Sequence, residues 1–141
     1  MNEFTTYRLP NGIRGIHRCV RSNVAHCALI VNAGSRDELT AEYGLAHFTE
    51  HAFFKGTQRR RAWQVNCRLE NLGGELNAFT TKEDTTIHAT TLRGDFPKAA
   101  ELIADIAFRS TFPDRELERE KEVICDEINT YKDSPADLIY D

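Results

Sequence analysis

No stretch of this 141-residue chain approaches the roughly 20 consecutive apolar residues of a membrane-spanning helix, so none is expected. Its four cysteines, Cys19, Cys27, Cys67 and Cys125, lie far apart and form no C-x-x-C pair. That spacing argues against a disulfide framework or a thiolate zinc site and for reduced thiols at core or boundary positions. There is no basic excess: 18 Lys and Arg face 22 Asp and Glu, a net charge of −4, so no field draws in nucleic acid or an acidic membrane. The one basic cluster, "KGTQRRRAW", reads as a solvated loop or helix start. The opening "MNEFTTYRLPNG" lacks the charged-then-apolar pattern of an export signal, and a cytoplasmic location is expected. Internal repeats, low-complexity tracts and Pro/Gly/Ser linkers are also missing. One domain is expected, and at this size a fold buries about 68–70% of its unfolded surface.

What is present alternates between strand and helix patterns. "TTYRLPNGIRGIHRCV" reads as two strands around Pro10-Asn11-Gly12, and "VAHCALIVNAG" as a buried strand ending at Gly34. "SRDELTAEYG" is a polar loop. From about Gly44 the period turns helical and stops at Gly56, and "RAWQVNCRLENLGG" gives a second helix ending on two glycines. "ELNAFTTKEDTTIHATTL" returns to a β-hairpin. "DFPKAAELIADIAFRS" is helical, with Asp95 as N-cap and Pro97 in the first turn, and a last helix runs from about Asp114 to Tyr131. This order fits an α+β fold, a sheet with helices on one face. The closing "DSPADLIYD" leaves Leu138, Ile139 and Tyr140 needing burial, so the chain is expected to be a fragment of a longer one.

The chemistry concentrates in "LAHFTEHAFF", residues 45–54. On a helix His47, Glu50 and His51 stand at i, i+3 and i+4, on one face. Two neutral imidazoles one turn apart can both reach a zinc ion, since Zn–N bonds are about 2.0–2.1 Å. A glutamate beside them can take the proton of an attacking water. The pattern is H-x-x-E-H, the inverse of H-E-x-x-H. Phe48, Phe53 and Phe54 would dry the site and strengthen its charge interactions. The competing reading is a surface helix with a polar face.

A tetrahedral catalytic zinc needs a third protein ligand. In "DRELEREKEVICDEINTY", at about 100° per residue, Glu120, Val123, Ile124, Glu127, Ile128 and Tyr131 share one side. Glu118, Glu122 and Asp126 lie away from it. Two carboxylates on an apolar stripe need a cation or strong donors, because an unpaired buried charge costs several kcal/mol. A zinc ion would satisfy one directly and the other through a ligand histidine's second N–H. If this helix is exposed instead, both are simply solvated.

"NAGSRDE", "GLAHFTEHAFFKGT", "GGELNAFTTKEDT" and "EREKEVICDEINTYKDSP", in this order and spacing, resemble the M16 metallopeptidases. These are the pitrilysin, insulin-degrading enzyme and mitochondrial processing peptidase group. The resemblance covers nearly the whole chain. It implies a mixed, largely antiparallel sheet with helices packed on one face, of the LuxS/MPP-like kind, and assigns residues 1–141 to the N-terminal part of a catalytic domain. It implies that His47, His51 and Glu127 bind Zn2+, that Glu50 is the general base and that Glu120 is an outer partner. Asn77, Ala78 and Phe79 match an edge-strand segment along which a substrate peptide lies by β-augmentation. The implied partners are a peptide or unfolded polypeptide substrate, the remainder of the chain or a related M16 subunit, and a possible second copy. Thr49 and Ala52 stand where larger apolar residues are usual. The family's downstream arginine and tyrosine have no counterpart here. A zinc endopeptidase is therefore expected. A catalytically silent peptide-binding unit and a zinc hydrolase acting on other substrates are the rival classes.

Overall fold

The computed structural model describes residues 4–133. Leu138, Ile139 and Tyr140 lie outside the described residues. β1 (Phe4–Arg8) and β2 (Arg14–Arg18) form a hairpin of their own. β3 (Val24–Val31) leads through two short 3-10 turns to α1 (Leu45–Ala52), a third turn at Phe53–Lys55 and α2 (Ala62–Glu70). Then come β4 (Glu75–Thr80), β5 (Thr85–Leu92), α3 (Phe96–Arg109) and α4 (Asp114–Lys132). The larger sheet runs β3-β5-β4, and every pairing is antiparallel. The fold is the α+β type expected from the element order. Its strands, however, form two sheets among the described residues.

The core lies between the three-stranded sheet and two helices. Val65 and Leu69 of α2 and Ala99, Leu102, Ile103 and Ile106 of α3 pack on Ala78 of β4 and on Ile87 and Ala89 of β5. Burying each of the larger side chains contributes about 1.5–3 kcal/mol. One expectation changes at β3. The apolar run of β3 is not buried on both sides: its burial alternates, and Ile30 is 65% exposed. As the outer strand of a sheet covered on one face, it follows the period-2 rule instead.

Two further local expectations hold in part. Asp95 stands at the N-cap of α3 but makes no capping bond; its Oδ1 accepts from Lys98 Nζ at 2.7 Å. The cysteines are free, with Cys19 and Cys125 exposed and Cys27 and Cys67 half-buried. At Cys27, burial pushes the thiol pKa up. No helix among the described residues is long and apolar enough to cross a membrane.

α1 lies outside this core, packed between β4 and α4. With eight residues it is too short to be stable alone, so its neighbours and its cap must hold it. Gly34 lets the loop before it lie close on the β4–β5 turn. A Cβ there would sit 2.5 Å from the Thr81 carbonyl oxygen and 2.7 Å from the Asp84 nitrogen.

Candidate metal centre

α1 follows its N-cap residue Gly44, whose φ of 92° is a left-handed conformation that favours glycine. Glu38, in the preceding loop, caps the helix from outside. Its Oε2 accepts the Gly44 N–H at 2.9 Å and its Oε1 the Ala46 N–H at 2.7 Å. A carboxylate here also suits the positive end of the helix dipole. The polar-loop reading of "SRDELTAEYG" had missed this role of Glu38.

One turn into the helix, His47 and His51 meet edge to face, with ring centroids 4.7 Å apart and planes at 90°. Their Nε2 atoms are 3.1 Å apart. Glu127, from α4, brings Oε2 to 3.3 Å from His51 Nε2 and 3.6 Å from His47 Nε2. In a tetrahedron with bonds of about 2.0–2.1 Å, the ligand–ligand edge is about 3.3–3.4 Å. The three separations bracket that edge, so the donor set fits one zinc ion.

The outer contacts fix which nitrogen faces the centre. His51 Nδ1 lies 2.8 Å from Glu120 Oε1. A carboxylate only accepts, so Nδ1 donates its hydrogen to Glu120 and Nε2 is the nitrogen that faces His47 and Glu127. Glu120 is 6% exposed, and its other oxygen, Oε2, accepts from Lys55 Nζ at 2.5 Å. Burial pushes the Glu120 carboxyl upward, but hydrogen bonds and charge from Lys55 and His51 outweigh it and hold the pKa below its ordinary value.

The shared stripe of α4 is only partly buried. Glu120 and Ile124 are buried, whereas the Glu127 side chain is 48% exposed, as befits a group facing an open site. Glu50 lies on α1 one residue before His51, half-buried. It has no hydrogen-bond or ion-pair partner among the described residues. Asn77, Ala78 and Phe79 lie in β4, the outer strand of the sheet on the side of α1. Asn77 and Phe79 are exposed, Ala78 is buried, and Asn77 Oδ1 accepts the Ala78 N–H at 2.9 Å.

The "KGTQRRRAW" segment leads into the start of α2 with Arg59 and Arg61 exposed, as expected, but Arg60 is not solvated. Arg60 Nη1 lies 2.5 Å from Asp105 Oδ2 and its Nη2 lies 2.7 Å from Glu101 Oε2. Asp105 is fully buried on α3 and also accepts from Thr57 Oγ1 at 2.8 Å. Burial alone would lower the Arg60 pKa, but Glu101 and Asp105 raise it, so the guanidinium stays charged. A signal for this knot was available. Asp105 sits within the apolar stripe of "AELIADIAF", and the argument that singled out Glu120 applies to it equally.

The model of the insulinase family, peptidase family M16, matches residues 19–141. An uncharacterized zinc protease, YmxG, of Bacillus subtilis (strain 168) is 38% identical over 138 residues, covering 96% of this chain and 33% of that protein. The beta subunit of the mitochondrial-processing peptidase of Saccharomyces cerevisiae is 36% identical over 137 residues, covering 96% of this chain and 30% of its own. A protease from Helicobacter pylori, known from a crystal structure, superposes with a TM-score of 0.93 at 25% identity, over 99% of this chain and 34% of that one. The chain spans about a third of the length of these relatives.

Proposed function

The chain belongs to the insulinase family, peptidase family M16, and from that membership we propose that it carries the zinc centre of an endopeptidase. His47, His51 and Glu127 hold the metal. The observation that carries this is the convergence of two imidazole nitrogens and a carboxylate oxygen at mutual separations of 3.1, 3.3 and 3.6 Å. Two lone pairs and an anion at such range repel one another unless a cation or proton lies among them. Residues 1–141 are then the N-terminal part of a catalytic domain, completed by the remainder of a longer chain or by a related subunit.

When bound, zinc supplies Lewis acidity, bringing water towards neutral pKa and polarising a carbonyl. The protein's own groups do the rest. Glu50, with no other partner among the described residues, takes a proton on its carboxylate from the attacking water and passes it to the leaving amine nitrogen. Glu120 holds the His51 ring through Nδ1. The outer edge of β4 at Asn77–Phe79 receives an extended peptide as an added strand, which presents its carbonyls beside α1.

The outer edge of β4, unpaired among the described residues, favours a second reading, a catalytically silent unit that binds peptides without cleaving them. One experiment separates the two. In the whole protein, Glu50→Gln should retain zinc and bind an unstructured peptide but lose cleavage by about 10²–10⁴-fold, the range of general acid–base catalysis. Equal cleavage by both proteins would remove Glu50 from the mechanism. No cleavage by the unaltered whole protein would leave the silent unit as the reading.

A further inference from the structure

We propose that Lys55 is a positioning residue of the metal centre, its ammonium clamping one oxygen of Glu120 so that the other holds the His51 ring towards the metal. This inference rests on the metal-centre reading above. Glu120 has two oxygens and each has one partner: Oε1 faces His51 Nδ1 at 2.8 Å and Oε2 faces Lys55 Nζ at 2.5 Å. A carboxylate bound at one oxygen alone can swing about its side-chain torsions and carry the imidazole with it. Tied at both oxygens, it cannot turn without breaking a charge-assisted bond.

Lys55 is unlike the surface lysines of the chain. Lys121 bonds Glu118 within α4, with side chains 56% and 70% exposed, a pairing of little consequence. The side chains of Lys55 and Glu120 are 23% and 8% exposed, and they join the turn after α1 to α4. The base of Lys55 is also fixed. The next residue, Gly56, is buried and left-handed, with a φ of 125°. The Thr57 hydroxyl then donates to buried Asp105 and accepts the N–H groups of Arg59 and Arg60 at 3.1 and 3.0 Å. α3 therefore anchors Thr57, the backbone through Gly56 joins Thr57 to Lys55, and Lys55 leads on to Glu120 and His51. Outer-shell groups of this kind orient a metal-binding histidine and set the basicity of its ligating nitrogen.

The test uses the whole protein. Zinc affinity is measured by competition with a chelator for the unaltered protein, Lys55→Met, Lys55→Arg, Glu120→Gln and the Lys55→Met/Glu120→Gln pair. Cobalt absorption spectra then report the ligand geometry. Lys55→Met should weaken zinc by about tenfold, the low end of the outer-shell range, and alter the cobalt band. Lys55→Arg should restore most of the affinity. In the Glu120→Gln background, Lys55→Met should cost nothing more, because its route to the metal is already cut. Wild-type affinity and spectrum in Lys55→Met would overturn the inference, as would an equal loss in both backgrounds. If Lys55→Met does not fold when metal-free, Lys55→Gln replaces it with the same expectation. An unaltered protein that binds no zinc would instead overturn the metal-centre reading, and this inference with it.

Discussion

Truncating Asp105 to alanine should loosen the turn that follows α1 while leaving α3 in place. Asp105 is fully buried, and its Oδ2 holds both the Thr57 hydroxyl and the Arg60 guanidinium, at 2.8 and 2.5 Å. Removing one partner of a buried ion pair costs about 3–5 kcal/mol, because the other charge stays behind with too few partners. Arg60 keeps only Glu101, whose side chain is 41% exposed, so the lower half of that range applies. The Thr57 hydroxyl, which accepts from Arg59 and Arg60, loses the acceptor that orients it. At about 1.4 kcal/mol per tenfold, a loss of about 3 kcal/mol lowers the protection of these turn amides by roughly a hundredfold. Hydrogen exchange of the whole protein, followed by mass spectrometry over residues 56–61, reads this directly. Replacing Asp105 and Arg60 together by Leu and Met should recover most of the protection, since apolar groups of similar volume substitute well for a buried pair. Unchanged exchange in the alanine variant would refute the claim that this pair fixes the turn.

Three further outcomes follow from the same contacts. Glu38→Ala removes the external cap of α1 and should destabilise that helix by about 0.5–2 kcal/mol, seen as faster exchange at Gly44 and Ala46. The Glu120 carboxyl, held below its ordinary value of 4.5, contributes stability that is complete above that value and is lost as pH falls through its lower folded value. Acid titration of the metal-free protein should therefore show a destabilising limb below about pH 4.5 that Glu120→Gln removes, with stability followed by thermal unfolding. Leu69→Ala, at a position with no exposed surface, should cost about 2–5 kcal/mol in stability, read by the same unfolding.

Much of the fold was legible because its periods are strong. α3 and α4 announce themselves by apolar spacing, and the β4–β5 hairpin by its threonines around a polar turn. The exposure of β3 was not legible. A continuous apolar run looks the same in a strand covered on both faces and in an edge strand covered on one; only the neighbours distinguish them. The same holds for α4, where the stripe logic identified Glu120 and Glu127 but could not tell that only the first is buried. His47, Glu50 and His51 could be read together because a helix fixes their mutual positions locally. Lys55 and the Asp105–Arg60 pair could not, since each acts across a long stretch of chain on a group that only folding brings near. Glu38 lies only six and eight residues from the amides it caps, but the irregular loop between them has no period to read. Asp105 was the nearest to being readable, as a carboxylate placed among Leu102, Ile103 and Ile106.

The central claim is that His47, His51 and Glu127 form one zinc site, and zinc content tests it most directly. Elemental analysis of the dialysed whole protein and its Glu127→Gln variant should find near-stoichiometric zinc in the first and a sharp loss in the second. Equal zinc in both would contradict the assignment of Glu127 as the third ligand. No zinc in a folded unaltered protein would contradict the site itself.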